Sequence, residues 1–313
     1  MIEEKLIKVP IEVLMPGRNR KISVYLFIQG KPVLYKKKNI PLEDEKLKRL
    51  KDNHISHVFI KKKELSLFVT DLEEEIEELL RREANLKTLK EILSRLEKVS
   101  EFLFAFPEKE HFEHTEKISG RISQYIEENP HISYIVAFAI KKDFKTAVHV
   151  TNVYILCSGF AYHLGLRDEK LEKLMAGSFF HDIGKVKVPD EILKKPERLT
   201  PEEYEILKKH TFWGYEILQA YRFDDYAGIA YEHHEFLDGT GYPRKIRGSE
   251  ISWEPQVVQI CDIYEALTGI RPYRKSLEPF SALTTMRDEF AVKGKIDRNL
   301  FVEFVLFLYR HKI

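Results

Sequence analysis

From Ile132 onward, apolar residues recur at helical spacing in one segment after another, and this pattern limits the fold more than any other feature. The segments 147–164, 169–180, 201–221, 255–267, 281–290 and 298–311 all carry it, and no strand-turn-strand spacing interrupts them. The pattern predicts an all-α bundle that begins between residues 100 and 130. A hydrophobic content of 43% supplies enough apolar surface for a sizeable core and excludes a disordered chain.

The first part of the chain reads differently. Residues 21–27 and 32–35 are β-branched and aromatic runs flanking Gln29-Gly30-Lys31, a hairpin signal. A short charged helix is expected over 42–53 and a further strand over 57–60. Thr70 and Glu73 have capping-box spacing and are expected to open a long helix. Along that helix Leu72, Leu79, Leu86 and Leu93 recur every seven residues, with Leu89 and Leu96 beside them, while Glu75 and Arg82 interrupt the second row. Two readings stay open: a helix packed on its own chain, or a dimerising, signal-relaying helix between an input module and an output domain. The expected organisation is α+β overall: a small N-terminal α+β regulatory module (1–70), a helical linker (71–129) and an all-α domain (130–313).

Lys+Arg 51 against Asp+Glu 50 leaves a net charge of +1, which argues against a chain built to coat nucleic acid or membrane. No window approaches the roughly 18 apolar residues of a membrane span, and the N-terminus lacks a signal-peptide core. Cys157 and Cys261 cannot form a disulfide framework. A cytoplasmic protein is expected.

Chemistry concentrates in the helical half. His181-Asp182 ends an apolar helical run and is followed by Ile183-Gly184-Lys185. His149 lies upstream; His210, the doublet His233-His234 and Asp262 lie downstream. Five histidines and two aspartates on several predicted helices can ligate two metal ions in a bundle core. Neutral imidazole nitrogens with bridging carboxylates suit iron, manganese, zinc or nickel better than magnesium or calcium. Any one of these histidines alone would be read as a core or surface residue; two doublets in one helical domain are harder to dismiss. His54, His57, His111, His114, His131, His163 and His311 lack such context and are read as structural.

The string H-H-E-F-L-D-G-T-G-Y-P over 233–243 resembles the H-H-E-x-x-D-G-x-G-Y-P signature of the HD-GYP family, a subgroup of the HD metal-dependent phosphohydrolases. The same family order continues in H-D-I-G-K (181–185), V-P-D-E-I-L-K-K-P (188–196), L-T-P-E-E (199–203), His210 with Gly214, D-I-Y-E-A-L-T (262–268) and R-P-Y-R (271–274), with Thr146, His149 and Asn152-Val153 resembling the first ligand helix. The resemblance covers about residues 130–310 and implies an HD-type helical bundle. It assigns His149, His181, Asp182 and Asp262 to one metal, and Asp182, as the bridge, with His210, His233 and His234 to a second, iron first and manganese next. It further implies a binuclear phosphodiesterase for cyclic di-GMP, opened to pGpG and in many members cut to GMP. The implied step is attack by a metal-bridging hydroxide on phosphorus. Asp182 and Lys185 are then catalytic, and Lys185, Arg271, Arg274 and Tyr242 contact substrate. Alternatives are another cyclic dinucleotide, or a weakly active scaffold binding partners through the G-Y-P loop. A homodimer through the long helix is compatible with the leucine rows; no nucleic-acid polymer or membrane is expected as partner.

Four finer expectations follow. Gly239, Gly241 and Pro243 form a rigid loop that aims the two histidines. Glu235 and Asp238 are candidate supports for the imidazoles, and Glu265, where the family's motif has Asp, should keep an acceptor. Some family members place a carboxylate four residues before the first ligand histidine to hold a third metal; here that residue is Lys145, expected to lean toward the vacated position. The chain ends at residue 313, where family members often continue into a G-x-Y-P-x-G segment, so one pocket wall is expected to differ.

Overall fold

The computed structural model describes residues 6–11, 14, 17, 21–141, 145–270 and 275–309. The chain divides into two units, 1–82 with 94–118, and 83–93 with 119–313.

The first unit holds a four-stranded antiparallel sheet, β1 (Leu6–Pro10), β2 (Val24–Ile28), β3 (Lys31–Lys36) and β4 (His57–Lys61), in the order β1-β4-β2-β3. Gln29 and Gly30 turn the β2–β3 hairpin, both at positive φ. The strand β1 was not expected; it pairs with β4 from Leu6↔Lys61 to Pro10↔His57. Helix α1 (Asp44–Asp52) and α2 (Leu65–Leu80) follow in sequence around β4. Val24, Val58 and Ile60 of the sheet are buried, as are Phe68, Val69, Leu72 and Ile76 of α2.

The capping box expected at Thr70 does not form. Helix α2 begins five residues earlier, at Leu65, and Thr70 sits inside it with its hydroxyl donating to Ser66 O at 3.0 Å. Leu65 and Phe68 belong to the same buried stripe, and burial of that stripe outweighs a local capping signal. The expected long helix is also two: the chain leaves α2 at Arg81 and re-enters at α3 (Leu86–Ala105), where Asn85 Oδ1 accepts the Thr88 N–H at 3.0 Å. Leu72, Leu79, Leu89, Leu93 and Leu96 are all buried within one chain. Glu75, which interrupts the leucine row, is buried too and accepts from Arg95 Nε at 3.2 Å. Leu86, the remaining member of the row, is half-buried.

Helix α4 (Lys109–Glu128) leads into the bundle of the second unit: α5 (Ile132–Ala139), α6 (Thr146–His163), α7 (Asp168–Phe180), the short α8 (Asp190–Leu193), α9 (Pro201–Lys208), α10 (His210–Ala220), α11 (Asp224–Glu232), α12 (Trp253–Thr268), α13 (Pro279–Met286) and α14 (Arg298–Tyr309). Almost every residue of α6 is buried, because α5, α7, α12 and α14 all pack around it. A helix apolar on all sides is a core helix. The run 201–221 is broken at Lys209 into α9 and α10, and Thr200 with Glu203 forms a complete capping box for α9. Helix α11 was not singled out in the sequence, yet it carries the His233-His234 doublet at its C-terminal end. After α13 the chain makes a π-helical turn over Arg287–Ala291. No helix among the described residues is long and apolar enough to cross a membrane.

Candidate metal centre

Most of the seven candidate ligands come from helix ends, where the chain changes direction and neighbouring side chains can share one target. His149 is in the first turn of α6; His181 is the C-cap of α7, and Asp182 follows with φ −101° and ψ 5°. His210 opens α10, His233 is the C-cap of α11 with His234 after it, and Asp262 projects from within α12. The 3₁₀ turn Ile183–Lys187 lies against α10. Gly184 makes that approach feasible: a Cβ there would overlap His210 O and Gly214 N.

All seven converge. Asp182 Oδ2 lies 3.3 Å from His149 Nε2 and 3.4 Å from His181 Nε2, while its Oδ1 lies 3.2 Å from His210 Nε2 and 3.9 Å from His233 Nε2. Each oxygen of one carboxylate therefore faces its own pair of imidazoles. Asp262 Oδ1 is 3.1 Å from His149 Nε2, and its Oδ2 is 4.0 Å from His234 Nδ1. Two donor groups result, His149/His181/Asp182 and His210/His233/His234, each with ligand atoms within 4.8 Å of one another.

The donor set fits a divalent metal. His181 Nε2 and Asp182 Oδ1 are buried yet make no hydrogen bond, a rarity for buried polar atoms unless something else binds them. Burial pushes His233 well below its ordinary value, helped by neighbouring histidines, and pushes His234 down to about 3. Burial works to raise Asp182, but Lys185 and the surrounding histidines outweigh it and hold the carboxyl well below its usual range. In the metal-free protein burial lowers His149, but Glu265, Asp182 and Asp262 outweigh it and raise the imidazole to about 10. The depressed His233 and His234 and the ionised Asp182 favour a cation directly, whereas His149 would have to give up its extra proton to bind one.

Backbone carbonyls orient three of the rings. His181 Nδ1 is 2.6 Å from Ser178 O, His210 Nδ1 is 2.7 Å from Leu207 O, and His233 Nδ1 is 3.0 Å from Ala230 O. Nδ1–H donating to each carbonyl leaves Nε2 unprotonated toward the site. The two carboxylates expected to orient rings do not. Asp238 accepts instead from Thr240 N–H at 2.9 Å and from its hydroxyl, and Glu235 Oε1 accepts from Arg244 N–H at 2.6 Å and Lys245 N–H at 3.1 Å. Asp238 and Glu235 Oε1 thus serve the backbone of the turn-rich segment after the histidines, while Glu235 Oε2 is buried without a hydrogen-bond partner. Glu265 does keep an acceptor, 2.5 Å from His149 Nδ1.

Lys185 Nζ donates to Asp182 Oδ2. A pocket of about 480 Å³ opens there, lined by His149, Lys185, His210, His234 and Asp262 together with Tyr204, Tyr242, Ile263, Leu267 and Phe290 among others. Tyr242 packs on the His234 ring, centroids 4.8 Å apart, and Lys208 Nζ lies 5.0 Å from the Tyr204 centroid and 5.6 Å from that of Tyr242. Gly239 has φ +77°, and a Cβ on Gly241 would overlap the backbone of Phe236, so the loop needs glycine at both positions. Sequence reasoning missed Tyr204 and Phe290 as lining residues; the first follows directly after the α9 capping box, and the second sits in a π-turn that leaves no periodic signal. Lys145 is the exposed N-cap residue of α6 with extended backbone. Arg271 and Arg274 lie outside the described residues.

The model of the HD domain matches residues 140–300 of the chain. A cyclic di-GMP phosphodiesterase of Thermotoga maritima is 34% identical over 218 residues, covering 69% of this chain and 54% of that protein. The 3'3'-cGAMP-specific phosphodiesterase 1 of Vibrio cholerae is 36% identical over 157 residues, covering 50% of this chain and 36% of the other. The chain thus spans about a third to a half of these relatives' lengths. Among solved structures, Bd1817, an HDG"Y"P protein from Bdellovibrio bacteriovorus, shares the fold with a TM-score of 0.69 at 21% identity, over 96% of this chain and 98% of that one.

Proposed function

The chain belongs to the HD domain family, in its HD-GYP branch, and from that premise we propose that it is a metal-dependent phosphodiesterase opening cyclic di-GMP to pGpG. The observation that carries the reading is Asp182, whose two oxygens each face a separate pair of imidazoles. His149, His181, Asp182 and Asp262 would hold one ion, and Asp182, His210, His233 and His234 the other. Two divalent ions there, iron or manganese, would withdraw charge from the phosphodiester and supply an activated water.

The chain's own residues do the rest. Asp182 and Asp262 bring two negative charges into a buried site, which would offset part of the charge of any bound cations. Lys185 holds its Nζ beside Asp182, where a phosphate oxygen can take over the contact and the same group can steady the leaving oxygen. Tyr242 packs on His234 and lines the pocket, while Ile263, Leu267 and Phe290 add apolar surface to its lining. Arg271 and Arg274 are assigned to phosphate or guanine edges. Residues 1–70 and the linker over 71–129 are assigned a regulatory role.

Two relatives' names divide between cyclic di-GMP and 3'3'-cGAMP, which makes the second dinucleotide the runner-up substrate. The test is hydrolysis of both after reconstitution with iron or manganese under reducing conditions. A higher kcat/KM for cyclic di-GMP is expected; a preference for 3'3'-cGAMP would reassign the substrate, and no turnover of either would refute the enzyme reading.

A further inference from the structure

His149 differs from the three rings oriented by backbone: its Nδ1 faces a side chain, Glu265 Oε2, at 2.5 Å. The other oxygen, Glu265 Oε1, accepts from Asn152 Nδ2 at 3.0 Å. Glu265 is 1% exposed, Asn152 2% and His149 4%. Asn152 is in turn locked by one backbone residue, accepting the Lys141 N–H at 3.1 Å and donating to Lys141 O at 2.8 Å. The amide cannot flip without opposing donor to donor and acceptor to acceptor at Lys141.

We propose that Glu265 is a positioning residue which, held by Asn152, fixes the tautomer and aim of His149 so that Nε2 is the atom offered to the metal. This rests on the reading of His149 as a metal ligand. The site demands two acceptors from residue 265, because Asn152 presents a fixed N–H on one side and His149 must keep its Nδ1–H on the other. A carboxylate meets that demand; an isosteric amide cannot. With Gln at 265, one arrangement turns its NH₂ toward His149, which forces the proton onto Nε2 and removes the ligand lone pair. The other arrangement turns it toward Asn152 Nδ2, two donors facing each other in a buried site. Helix α12 thereby supplies a candidate ligand, Asp262, and the orienter of a second ligand one helical turn later.

The test is metal stoichiometry and affinity, by elemental analysis and chelator competition, with helical content measured on the same samples. Glu265→Gln is expected to weaken one of the two metal positions by about 10–100-fold, as losing an orienting partner does, with helicity unchanged. The double variant Glu265→Gln/Asn152→Asp re-creates the match. The carboxylate introduced by Asn152→Asp would accept from the glutamine NH₂ and from Lys141 N–H, freeing the glutamine oxygen for His149. It gives up the donation to Lys141 O, so recovery is partial: about tenfold in affinity over the single variant, a coupling that independent sites would not show. Wild-type affinity in Glu265→Gln, no recovery in the double variant, or loss of fold in the single variant would each overturn the proposal. His149→Ala separates the underlying reading: if that variant keeps both metals at wild-type affinity, His149 is no ligand and the metal assignment itself fails.

Discussion

Two glycine-to-alanine substitutions in the bundle should change stability in opposite directions. At Gly184 an added Cβ would overlap His210 O and Gly214 N and come 2.8 Å from His210 C. These are backbone atoms of α10 and cannot swing aside, so the 3₁₀ turn must move off the helix. Overpacking of this kind costs about 1–3 kcal/mol, and a backbone obstacle puts it at the upper end. At Gly228, inside α11, a Cβ meets nothing within 4 Å and φ is not positive. There the helix gains about 0.8–1.0 kcal/mol from alanine's better propensity. For a unit of this size that is about +2–4 °C for Gly228→Ala and a fall of roughly 4–10 °C for Gly184→Ala. Trp213 and Trp253 both belong to the second unit, so tryptophan fluorescence during thermal unfolding of the metal-free protein reports it selectively. Gly184→Ala should also weaken metal binding, since Asp182 and His210 sit on the two sides of the forced gap. A Gly184→Ala protein as stable as wild type, with unchanged metal affinity, would refute the close-approach reasoning; a destabilised Gly228→Ala would refute the propensity argument.

Asp182→Ala should empty both metal positions and abolish turnover while far-UV circular dichroism stays near wild type; retention of either ion would contradict a bridging role. Metal analysis with anomalous scattering should count two ions per chain, because the position four before His149, where the family resemblance would call for a carboxylate to hold a third ion, is Lys145; three well-occupied ions would overturn this. In the first unit, burial lowers Lys36 from 10.5 to about 8, although its ammonium donates to Ile22 O at 2.5 Å. Between those pH values the unfolded chain keeps a proton the folded one has released, so stability should rise with pH by at most roughly 3 kcal/mol. Urea titrations followed by hydrogen exchange in β2 and β3 should show that slope in wild type and lose it in Lys36→Met; equal slopes would exclude Lys36 as its source.

His181-Asp182 was legible because it ends a strongly apolar helical run, and His233-His234 because it opens the H-H-E-F-L-D-G-T-G-Y-P string, although the helix before it gave no clear period. Asp262 and His149 needed the motif as well, since a lone polar residue inside a helix has no local signature. What stayed hidden depends on contacts distant in sequence. Nothing near residue 265 indicates that its partners are 116 and 113 residues away. Glu235 and Asp238 were misjudged because adjacency to the histidines is not direction toward them: a tight turn consumes its own acceptors first. Strand β1 is short, ends in proline, and gains its identity only from β4. The break between α2 and α3 falls in the mostly polar stretch Arg81-Arg82-Glu83-Ala84-Asn85, but the leucine spacing runs through it, so periodicity alone could not separate one helix from two.

Helix α6, enclosed on every side by its neighbours, has a kinetic meaning as well as a packing one. Its amides should be among the slowest in the second unit to exchange with deuterium, because exposing them requires the surrounding helices to leave. His149 rides in the first turn of this helix, so partial openings that loosen the exposed helix α9 would leave that ring in register. The pocket residue Tyr204 on poorly buried α9 and the candidate ligand His149 on enclosed α6 should therefore lose protection at different rates.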